Sequence, residues 1–491
     1  MTTTDESDQV VQRRANLDEL RKLGVAPYPN RFDRQASIDE LVQAHGGKGS
    51  EELEAARIAT RTAGRILAIR SFGKANFLVL SDGNARIQVY IREDALSPRD
   101  FQIFKLLDFG DWIGVEGRLF RTKTKELTIW ASQLEFLAKC LLPLPEKWHG
   151  LTDIEIRFRQ RYLDLIVNPD ARRVFEIRSR VVTAVREFLI GRGFLEVETP
   201  MMQSIPGGAL ARPFVTYHNA LDMKLFLRIA PELFLKRAVV GGIDRVYEIN
   251  RNFRNEGADS THSPEFSMLE AYEAYGDYNS IADLTQTLIQ DAAFAISGSH
   301  VVTWADGTEF DLGGDWDRIS MYDSLSAALG TPVSPETSIA ELKALADREG
   351  VDIDHPIHGK YVEELWEHFV KDGLTRPTFV MDFPVDTSPL VRGHRSIAGV
   401  VEKWDLYVRG FELATGYSEL VDPVVQRERF VEQARLAAGG DPEAMRLDEE
   451  FLRALEYGMP PTGGMGMGID RLLMALTGLG IRETILFPLV K

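Results

Sequence analysis

The order of apolar and polar positions changes along the chain and divides it into segments. Residues 8–55 have the spacing of helices and end in the Gly- and Ser-containing stretch HGGKGSEE. Residues 60–140 change to short runs in which apolar and polar residues alternate, separated by polar turns, as in half-buried strands. About five such runs predict a small β-barrel, of which the OB-fold is the common form that binds nucleic acid. A barrel with a purely structural role would show the same pattern.

A helical pattern returns after the Pro-rich segment PLPEKWHG, residues 143–150, which predicts a domain boundary. A helix with one buried face is predicted by apolar residues at helical spacing: Val174, Ile177, Val181, Val185 and Leu189. A short strand, FLEVE, follows and ends at Pro200, and further helices are predicted at about 280–298 and about 338–348. We therefore predict three regions, an N-terminal helical segment at 1–55, a barrel at 56–145 and a larger domain at 146–491.

Two neighbouring strands in the larger domain present an unusual mixture of side chains. In the first, RVYEINRNFRNEG, strand alternation separates the apolar residues from a polar face of Glu248, Asn250, Asn252, Arg254 and Glu256. In the second, SPEFSMLEAYEAY, one face combines Phe266, Met268, Glu270 and Tyr272. A solvent-exposed hairpin does not explain why aromatic and acidic side chains share one face. A ligand pocket lined by apolar side chains and a few polar groups does explain it.

The chemistry of these strands suits a ligand that carries phosphate, a flat ring and an amine. Guanidinium binds phosphate or carboxylate in a bidentate way, an aromatic ring stacks on a base, and carboxylates bind an amine. Arg254, Phe266 and Glu270 supply these three groups.

Composition and charge narrow the class of protein. A chain of 491 residues with 44% apolar and 27% charged residues predicts two or three globular domains. It has no apolar run of membrane-spanning length and no signal-peptide core, so we expect a cytoplasmic protein without a membrane partner. The single Cys140 excludes an intramolecular disulfide and a cysteine-rich zinc site. The net charge is −17, but residues 57–147 carry 15 Lys+Arg against 10 Asp+Glu, which leaves room for a nucleic-acid partner at the barrel.

Several stretches resemble the motifs of class II lysyl-tRNA synthetases of the bacterial type. RVYEINRNFRNEGADSTHSPEFSMLEAYEAYGDY resembles motif 2, GMPPTGGMGMGIDRLLMALTG resembles motif 3, and the helix and strand ending at Pro200 resemble motif 1. GALARPFVTYHNALDMKLFLRIAPELFLKRAVVGG resembles the family's amino-acid-binding segment. The resemblance runs from roughly residue 15 to the C-terminus.

The resemblance implies an α+β protein, with an OB-fold β-barrel followed by an antiparallel sheet of about six or seven strands flanked by helices. The implied reaction joins L-lysine and ATP to lysyl-adenylate and then transfers lysine to the 3′ end of a lysine tRNA. Motif 1 implies a homodimer. The implied catalytic residues are Arg254 and Arg471.

For ATP, the resemblance implies a binding set in which each residue has a distinct role. Arg254 would bridge the α-phosphate and the lysine carboxylate, and Phe266 would stack under adenine with Arg471 on the opposite face. The rest of the set is Glu256 at the adenine amino group, His262 near the β/γ-phosphates, and Glu412. For Asp470 two interpretations stay open, a helix-start ion pair with Arg471 or a functional role.

For lysine, the implied set is rich in carboxylates, which favours a cationic substrate because an ammonium in a partly dry pocket needs an anionic partner. Its members are Gly208, Glu232, Arg254, Glu270, Tyr272, Thr415 and Glu419. Glu232 and the Gly208 carbonyl would hold the α-amino group, and Glu419 and Tyr272 the ε-ammonium group.

For metal, the family's two carboxylates for Mg²⁺ fall on Asp405 and Glu412. Asp405 replaces the usual Glu, and Thr415 replaces the Asn that usually helps to hold the lysine carboxylate. Strict alternation places Glu412 and Glu419 on opposite strand faces, so a bulge is predicted near Gly416.

In the barrel, Phe77 and Gln88 match the family positions that stack on and read the central anticodon base, and Arg70 and Glu126 match neighbouring positions. A barrel-core position for Phe77 is the alternative.

Three other functions compete with this one. A ligase that attaches lysine to protein would typically lack the barrel, and a non-catalytic tRNA-binding relative would have lost motif residues that this chain retains. An aspartyl-type enzyme would need a basic or amide group where this chain has carboxylates.

Overall fold

The structure of the protein is a computed structural model that describes residues 8–73, 75–145, 151–257, 259, 261–353, 357–438 and 445–490. The α-helices are α1 Asp8–Lys22, α2 Ile38–His45, α3 Ser50–Ala56, α4 Pro98–Lys105, α5 Ile154–Arg159, α6 Arg161–Val167, α7 Pro169–Gly191, α8 Glu232–Val240, α9 Tyr278–Ser297, α10 Met321–Leu329, α11 Ile339–Glu349, α12 His358–Phe369, α13 Pro423–Ala438, α14 Glu449–Glu456, α15 Ile469–Thr477 and α16 Ile481–Thr484.

The strands are β1 Ala59–Phe72, β2 Ala75–Ser81, β3 Arg86–Arg92, β4 Trp112–Arg121, β5 Leu127–Ala138, β6 Leu195–Glu196, β7 Met202–Gln203, β8 Val215–His218, β9 Met223–Leu227, β10 Arg245–Phe253, β11 Glu265–Ala274, β12 Val301–Thr303, β13 Glu309–Asp311, β14 Asp317–Ser320, β15 Thr378–Pro384, β16 Val400–Val408, β17 Phe411–Ser418 and β18 Thr462–Gly468.

Contacts between Cα atoms divide the chain into two units, Met1–Arg172 and Arg173–Lys491. This division falls near the start of α7, whereas we predicted a boundary after residue 145. Residues 146–150 of the predicted boundary segment lie outside the described residues. The three predicted regions therefore stay a prediction.

In the first unit, β1 to β5 close into a barrel with the strand order β1-β2-β3-β5-β4. β3 and β5 run parallel, and the other neighbouring strands are antiparallel. Every second residue enters the interior, as the alternating pattern predicted, and on β2 and β3 these are Leu78, Leu80, Ile87, Val89 and Ile91. The segment predicted to be helical at 1–55 contains α1, α2 and most of α3.

In the second unit, the main sheet has eight strands in the order β14-β15-β16-β17-β18-β11-β10-β6. The six strands from β15 to β10 are antiparallel, in agreement with the resemblance. The two edge strands, β14 and β6, are parallel to their neighbours, which the sequence had not indicated. The sheet therefore combines an antiparallel centre with a short parallel pair at each side.

Helices α7, α9 and α15 cover one face of this sheet and form its largest apolar core. Helix α7 is the predicted amphipathic helix, and its Val181, Val185 and Leu189 are fully buried. Helix α9 begins with a capping box at Asp277 and ends at Gly298, which has the left-handed backbone conformation that favours glycine. Because one sheet face is filled by helices, polar residues that alternate with the core residues gather on the other face.

Within the described residues, no helix is both long and apolar enough to cross a membrane.

Candidate active site

The floor of the site is the face of β18 that carries Gly464, Gly466 and Gly468. A Cβ atom at Gly464 would collide with the Glu419 carboxylate and the Tyr272 ring, and one at Gly466 would lie 2.5 Å from Met268 Cε. The alternate methionines of β18 point into the helix-covered core. The glycines therefore leave open the space above the sheet, because any larger residue would fill it.

Two adjoining cavities lie over this floor, with volumes of about 270 and 130 Å³. The larger, which we name the acidic cavity, is bordered by residues that include Gly208, Glu232, Glu270, Tyr272, Lys403, Asp405 and Tyr417. The smaller, the aromatic cavity, is bordered by Glu256, His262, Phe266, Gly468, Asp470 and Arg471, among others. The residues shared by both are Arg254, Met268, Glu412, Thr415 and Gly466. The structure thus brings together the predicted nucleotide residues in one cavity and most of the predicted lysine residues in the other.

Arg254 lies at the junction of the two cavities, immediately after β10. Its guanidinium carbon is 5.1 Å from the centroid of the Phe266 ring. Burial lowers the pKa of Arg254, and the nearby carboxylates of Glu256 and Glu412 act in the opposite direction. A buried guanidinium at this position favours an anionic ligand at the point where the cavities meet.

The aromatic cavity is closed on one side by Arg471 and His262. Arg471 Nη1 donates to the Glu412 carbonyl oxygen at 2.7 Å, and Nη2 lies 3.4 Å from His262 Nε2. Nδ1 of His262 lies 2.9 Å from the Asp259 carboxylate. Backbone and side-chain hydrogen bonds from Thr261 and His262 lower the pKa of Asp259, so its negative charge helps to orient the imidazole ring.

Asp470 connects three separate parts of the second unit. Its Oδ1 accepts from Arg178 Nη1 of α7 at 2.5 Å, and its Oδ2 accepts from the backbone N–H of Ser267 at 2.7 Å. Arg178 Nη2 also donates to Ser267 Oγ at 3.0 Å. Asp470 is 1% exposed and pairs with Arg178, so the predicted helix-start ion pair with Arg471 is wrong; its contacts also hold Ser267, the residue next to Phe266.

In the acidic cavity, each glutamate has an aromatic hydroxyl or an ammonium as its partner. Tyr272 donates to Glu270 at 2.9 Å, and Tyr417 donates to Glu232 at 2.9 Å. Lys236 Nζ donates to Glu232 Oε1 at 2.6 Å. Burial raises the pKa of Glu270 well above its usual range, and the Glu232 charge raises it further. The cavity thus concentrates carboxyl groups whose ionised forms a cationic ligand would stabilise.

Glu419 lies over Gly464, on the same sheet face as Tyr272, and is 1% exposed. Its carboxylate forms an ion pair with Lys236, and among the described residues it does not border the open cavity. Burial raises the pKa of Glu419 to about 8, while the Lys236 ammonium acts to lower it. The position of Glu419 beside the acidic cavity therefore depends on a buried ion pair that the sequence had not indicated.

Gly208 brings a backbone segment against the start of α8. Its φ of +88° is in the region that favours glycine, and an added Cβ would lie 2.9 Å from Glu232 Cβ. The Gly208 backbone and Glu232 are therefore close to each other, as a shared contact with one amino group requires.

A bulge places Glu412 on the site face of β17, but its location differs from the prediction. Tyr407 pairs with Glu412 and Leu406 pairs with Ala414, so the extra residue is Leu413. Pairing from Ala414 to Ser418 is regular, and the predicted bulge near Gly416 is wrong. Only the cross-strand register could show which residue is extra, because a bulge anywhere between the two glutamates would satisfy the alternation.

Asp405 and Glu412 both border the acidic cavity. Burial raises the pKa of Asp405 to about 6, and the Lys403 ammonium, 3.0 Å away, acts against this shift. Among the described residues, Asp405 and Glu412 do not belong to a cluster of three or more His, Cys, Asp or Glu side chains that could hold a metal ion. Thr415 Oγ1 donates to the Trp404 carbonyl oxygen at 3.3 Å, so the hydroxyl that replaces the family's amide already has a backbone partner.

The outer face of the barrel carries the residues predicted for nucleic acid. Strand pairing places one row of side chains across the barrel: Arg70, Phe77, Tyr90, Trp130 and Arg118. The ring centroids of Phe77 and Tyr90 are 4.9 Å apart, and those of Tyr90 and Trp130 are 5.3 Å apart. Aromatic rings between two arginines can hold unpaired bases and their phosphates.

Phe77 is half-buried on this outer face, while its neighbour Leu78 is fully buried in the interior. A barrel-core position for Phe77, the alternative reading, is therefore wrong. Gln88 lies in the adjacent row and accepts from Thr128 Oγ1 at 3.0 Å, and Glu126 precedes the start of β5.

Several residues of the site were not predicted from the sequence. Lys236, Lys403, Tyr417 and Arg178 form the polar contacts described above, and Tyr90 and Trp130 extend the aromatic row. One signal was available, since Glu232 and Lys236 are four residues apart on a helix, a spacing that brings side chains together. The others are brought into contact only by strand pairing or by packing between distant segments.

Two family models match the chain. Residues 153–491 match the model described as class II tRNA synthetases (D, K and N). Residues 60–137 match an OB-fold nucleic acid binding domain. The second match covers the barrel from β1 to β5.

Curated relatives match the chain over nearly its full length. It is 57% identical to a protein named lysine–tRNA ligase from Kineococcus radiotolerans, over 99% of this chain and 98% of the relative. Proteins of the same name from Mycolicibacterium gilvum and Syntrophomonas wolfei are 54% and 47% identical, over 100% and 98% of this chain and 99% and 96% of those relatives. The chain therefore belongs to the class II tRNA synthetases (D, K and N) and, within them, to the family of the lysine–tRNA ligases.

Proposed function

We propose that this protein activates L-lysine with ATP to form lysyl-adenylate and then transfers lysine to the 3′ end of a lysine tRNA. The observation that carries this proposal is the position of Arg254 at the junction of an acidic and an aromatic cavity. An amino acid in one cavity and a nucleotide in the other would meet at this guanidinium, where the new acyl-phosphate bond forms.

Adenylate formation requires positioning and charge neutralisation and needs no covalent nucleophile from the protein. We assign Arg254 to the contact with both the lysine carboxylate and the α-phosphate, and Arg471 to the opposite side of the aromatic cavity. Their positive charges would stabilise the negative charge that builds up on the α-phosphate as the carboxylate attacks and pyrophosphate leaves.

We assign adenine to the Phe266 ring, with Glu256 accepting from the adenine amino group and His262 near the β/γ-phosphates. The hydrogen bonds that connect Ser267, Asp470 and Arg178 support this assignment, because they restrain the strand that carries Phe266. Stacking between a ring and a guanidinium is a favourable environment for a flat base.

We assign the α-amino group of lysine to Glu232 and the Gly208 carbonyl, and the ε-ammonium to Glu419 and Tyr272, with Glu270 nearby. Thr415 borders both cavities and would face the lysine carboxylate. The excess of carboxylates supports a cationic substrate, because each buried negative charge needs compensation.

We also propose that Asp405 and Glu412 hold Mg²⁺ together with phosphate oxygens of ATP. Two carboxylates suit Mg²⁺ in nucleotide sites, where substrate oxygens and water complete the six ligands. When bound, Mg²⁺ would neutralise phosphate charge. Asp405 and Glu412 lie on adjacent strands, and burial disfavours the charge of Asp405, which a cation would restore.

We propose that the barrel binds the anticodon through Arg70, Phe77, Gln88 and Glu126. The protein would then act in the cytoplasm, where tRNA is charged for protein synthesis. The row of rings on the barrel face supports a single-stranded partner, since unpaired bases stack on exposed aromatic side chains.

A homodimer is proposed from an apolar surface that follows α7. Exposed large apolar side chains cluster in the segment that includes β6 to β9: Ile190, Leu195, Met202, Val215, Tyr217 and Leu221. A concentration of exposed apolar groups of this kind marks a surface that another chain covers.

Arg254→Ala should reduce lysine-dependent ATP–pyrophosphate exchange at least about 100-fold, the usual effect of removing a charged donor from a transition state. Exchange in the unmodified protein should depend on lysine and respond little to aspartate or asparagine. The matched control is Arg251→Ala, because Arg251 is on β10, three residues before Arg254, and pairs only loosely with Glu265, at 3.7 Å. Near-normal exchange in Arg254→Ala would show that the phosphate contact is assigned wrongly.

Lysine KM should depend on pH through Glu419. Its pKa of about 8 in the free protein means that protonated Glu419 must lose its proton to bind an ammonium. Lysine KM should therefore fall up to about tenfold per pH unit from pH 6 to 8 and then level off. Glu419→Gln should raise lysine KM about 10- to 100-fold, as for loss of a charged hydrogen bond, and remove this dependence. An unchanged lysine KM, relative to the exposed control Glu428→Gln, would place the ε-ammonium elsewhere.

Phe77→Ala should lower kcat/KM for tRNA charging about 5- to 150-fold, because base–aromatic stacking contributes about 1–3 kcal/mol. ATP–pyrophosphate exchange without tRNA should stay within about twofold. Tyr28→Ala is the matched control, since Tyr28 is 52% exposed in the same unit. Full charging activity in Phe77→Ala would contradict the anticodon assignment.

Val215→Asp should convert the dimer to a monomer at micromolar protein concentration, because a carboxylate would be buried without a partner in the interface. Light scattering coupled to gel filtration would measure the mass. Val424→Asp is the control, since Val424 is also exposed (67%) but lies outside the apolar surface. If Val215→Asp keeps the mass of the unmodified protein and that mass is a dimer, the interface lies elsewhere.

A further inference from the structure

Lys236 is a fully buried ammonium between two carboxylates that we assign to the substrate. Its Nζ is 2.6 Å from Glu232 Oε1 and forms a second ion pair with Glu419. Its side chain is 0% exposed. The centroid of the Tyr417 ring lies 5.7 Å from Nζ. A lysine side chain of the protein thus contacts the same two glutamates that the amines of a bound lysine would need.

The local fold explains how Lys236 reaches both glutamates. Glu232 and Lys236 are four residues apart on α8, so their side chains lie on one face of the helix. Glu419 comes from the other direction, directly after β17, and Tyr417 of β17 donates to the second oxygen of Glu232 at 2.9 Å. Helix α8 and strand β17 are therefore connected at this point by a single buried charge cluster.

The groups that face this cluster are mostly acidic. Besides Glu232 and Glu419, the charges and phenols around the pocket come from β11 and β17: Glu270, Tyr272 and Tyr417. Burial lowers the pKa of the Lys236 ammonium, but Glu232 and Glu419 outweigh this effect and raise it above its usual range. Lys236 is thus charged whenever the glutamates are, and its charge opposes the protonation that burial would otherwise favour.

Counting charges shows what Lys236 contributes to recognition. Once Glu419 has lost its proton, two ionised glutamates and one ammonium have a net charge of −1, and lysine with two ammonium groups and one carboxylate has a net charge of +1. The cluster and its ligand therefore neutralise each other. Without Lys236, two adjacent buried carboxylates would be harder to ionise together, so Glu419 would keep its proton to a higher pH.

We propose that Lys236 is a positioning residue for substrate specificity, which orients Glu232 and Glu419 toward the two amines of the amino-acid substrate and favours the ionised form of Glu419. This inference rests on the proposed function, since it assigns the two glutamates to lysine. Lys236 itself does not border the open cavity among the described residues, so it acts through the glutamates.

The test compares Lys236→Met with Lys236→Arg in ATP–pyrophosphate exchange, using the full chain. Lys236→Met should raise lysine KM at least about 30-fold and leave ATP KM within about twofold. The pH at which lysine KM levels off should move up by at least about one unit, because Glu419 loses the ammonium that opposes its protonation. Lys236→Arg keeps the charge and should restore the pH profile. Lys343→Met, at an exposed lysine of the same unit, is the matched control.

An unchanged pH profile in Lys236→Met would overturn the inference, because a purely structural lysine would affect stability or kcat without moving a pKa. A double-mutant cycle with Glu419→Gln gives a second measurement, which separates a role of Lys236 through Glu419 from an independent structural effect. If Lys236 acts through Glu419, adding Lys236→Met to Glu419→Gln should change lysine KM less than about threefold. Fully additive effects would contradict the proposal.

The two proposals fail in different ways. If the unmodified protein shows no lysine-dependent exchange, the proposed function is wrong. If the unmodified protein is active with lysine and Lys236→Met retains its lysine KM and pH profile, only the role of Lys236 is wrong.

Discussion

A side chain at every second position of β18 would fill the cavities from below, and this constraint shapes the rest of the site. β18 lies between β17 and β11 near the centre of the sheet, with helices packed against its other face. Met465 and Met467 fill the core on the helix-covered face, and glycines at the positions between and beside them leave the open face free of side chains. The pattern TGGMGMG satisfies both requirements at once, and the neighbouring strands then supply the side chains that surround the open space.

Buried charge is the second consequence of this arrangement. The open face of the sheet carries carboxylates from several strands, and each of them loses hydration in the folded protein. The structure compensates them with cations from outside the glycine floor: Arg254 after β10, Lys236 on α8 and Lys403 on β16. The cations divide the face into an aromatic end and an acidic end, with Arg254 between them. The same compensation explains why the acidic end suits an amine: the carboxylates stay ionised only while a positive charge is near.

Comparison of the predicted and observed elements shows where local patterns were sufficient. The alternation in β10 and β11 correctly grouped Phe266, Met268, Glu270 and Tyr272, because a strand has one period whatever surrounds it. The helix at Pro169–Gly191 was predicted from its apolar spacing for the same reason. In contrast, the bulge at Leu413 was placed near Gly416, because its position depends on the partner strand. Asp470 was left between two readings, since its contact with Arg178 joins residues that are far apart in sequence.

The sequence by itself determined the central elements of the architecture, a β-barrel, an antiparallel sheet and an amphipathic helix, because periodicity, turn residues and motif order are properties of short stretches of the chain. It also determined the composition of the site, an arginine, an aromatic ring and an excess of carboxylates. Only the tertiary structure decided how those charges are compensated. Glu419 contacts a protein ammonium because α8 packs next to the end of β17, which brings Lys236 to its carboxylate. These two segments are about 180 residues apart in the sequence, so no local pattern could predict this contact.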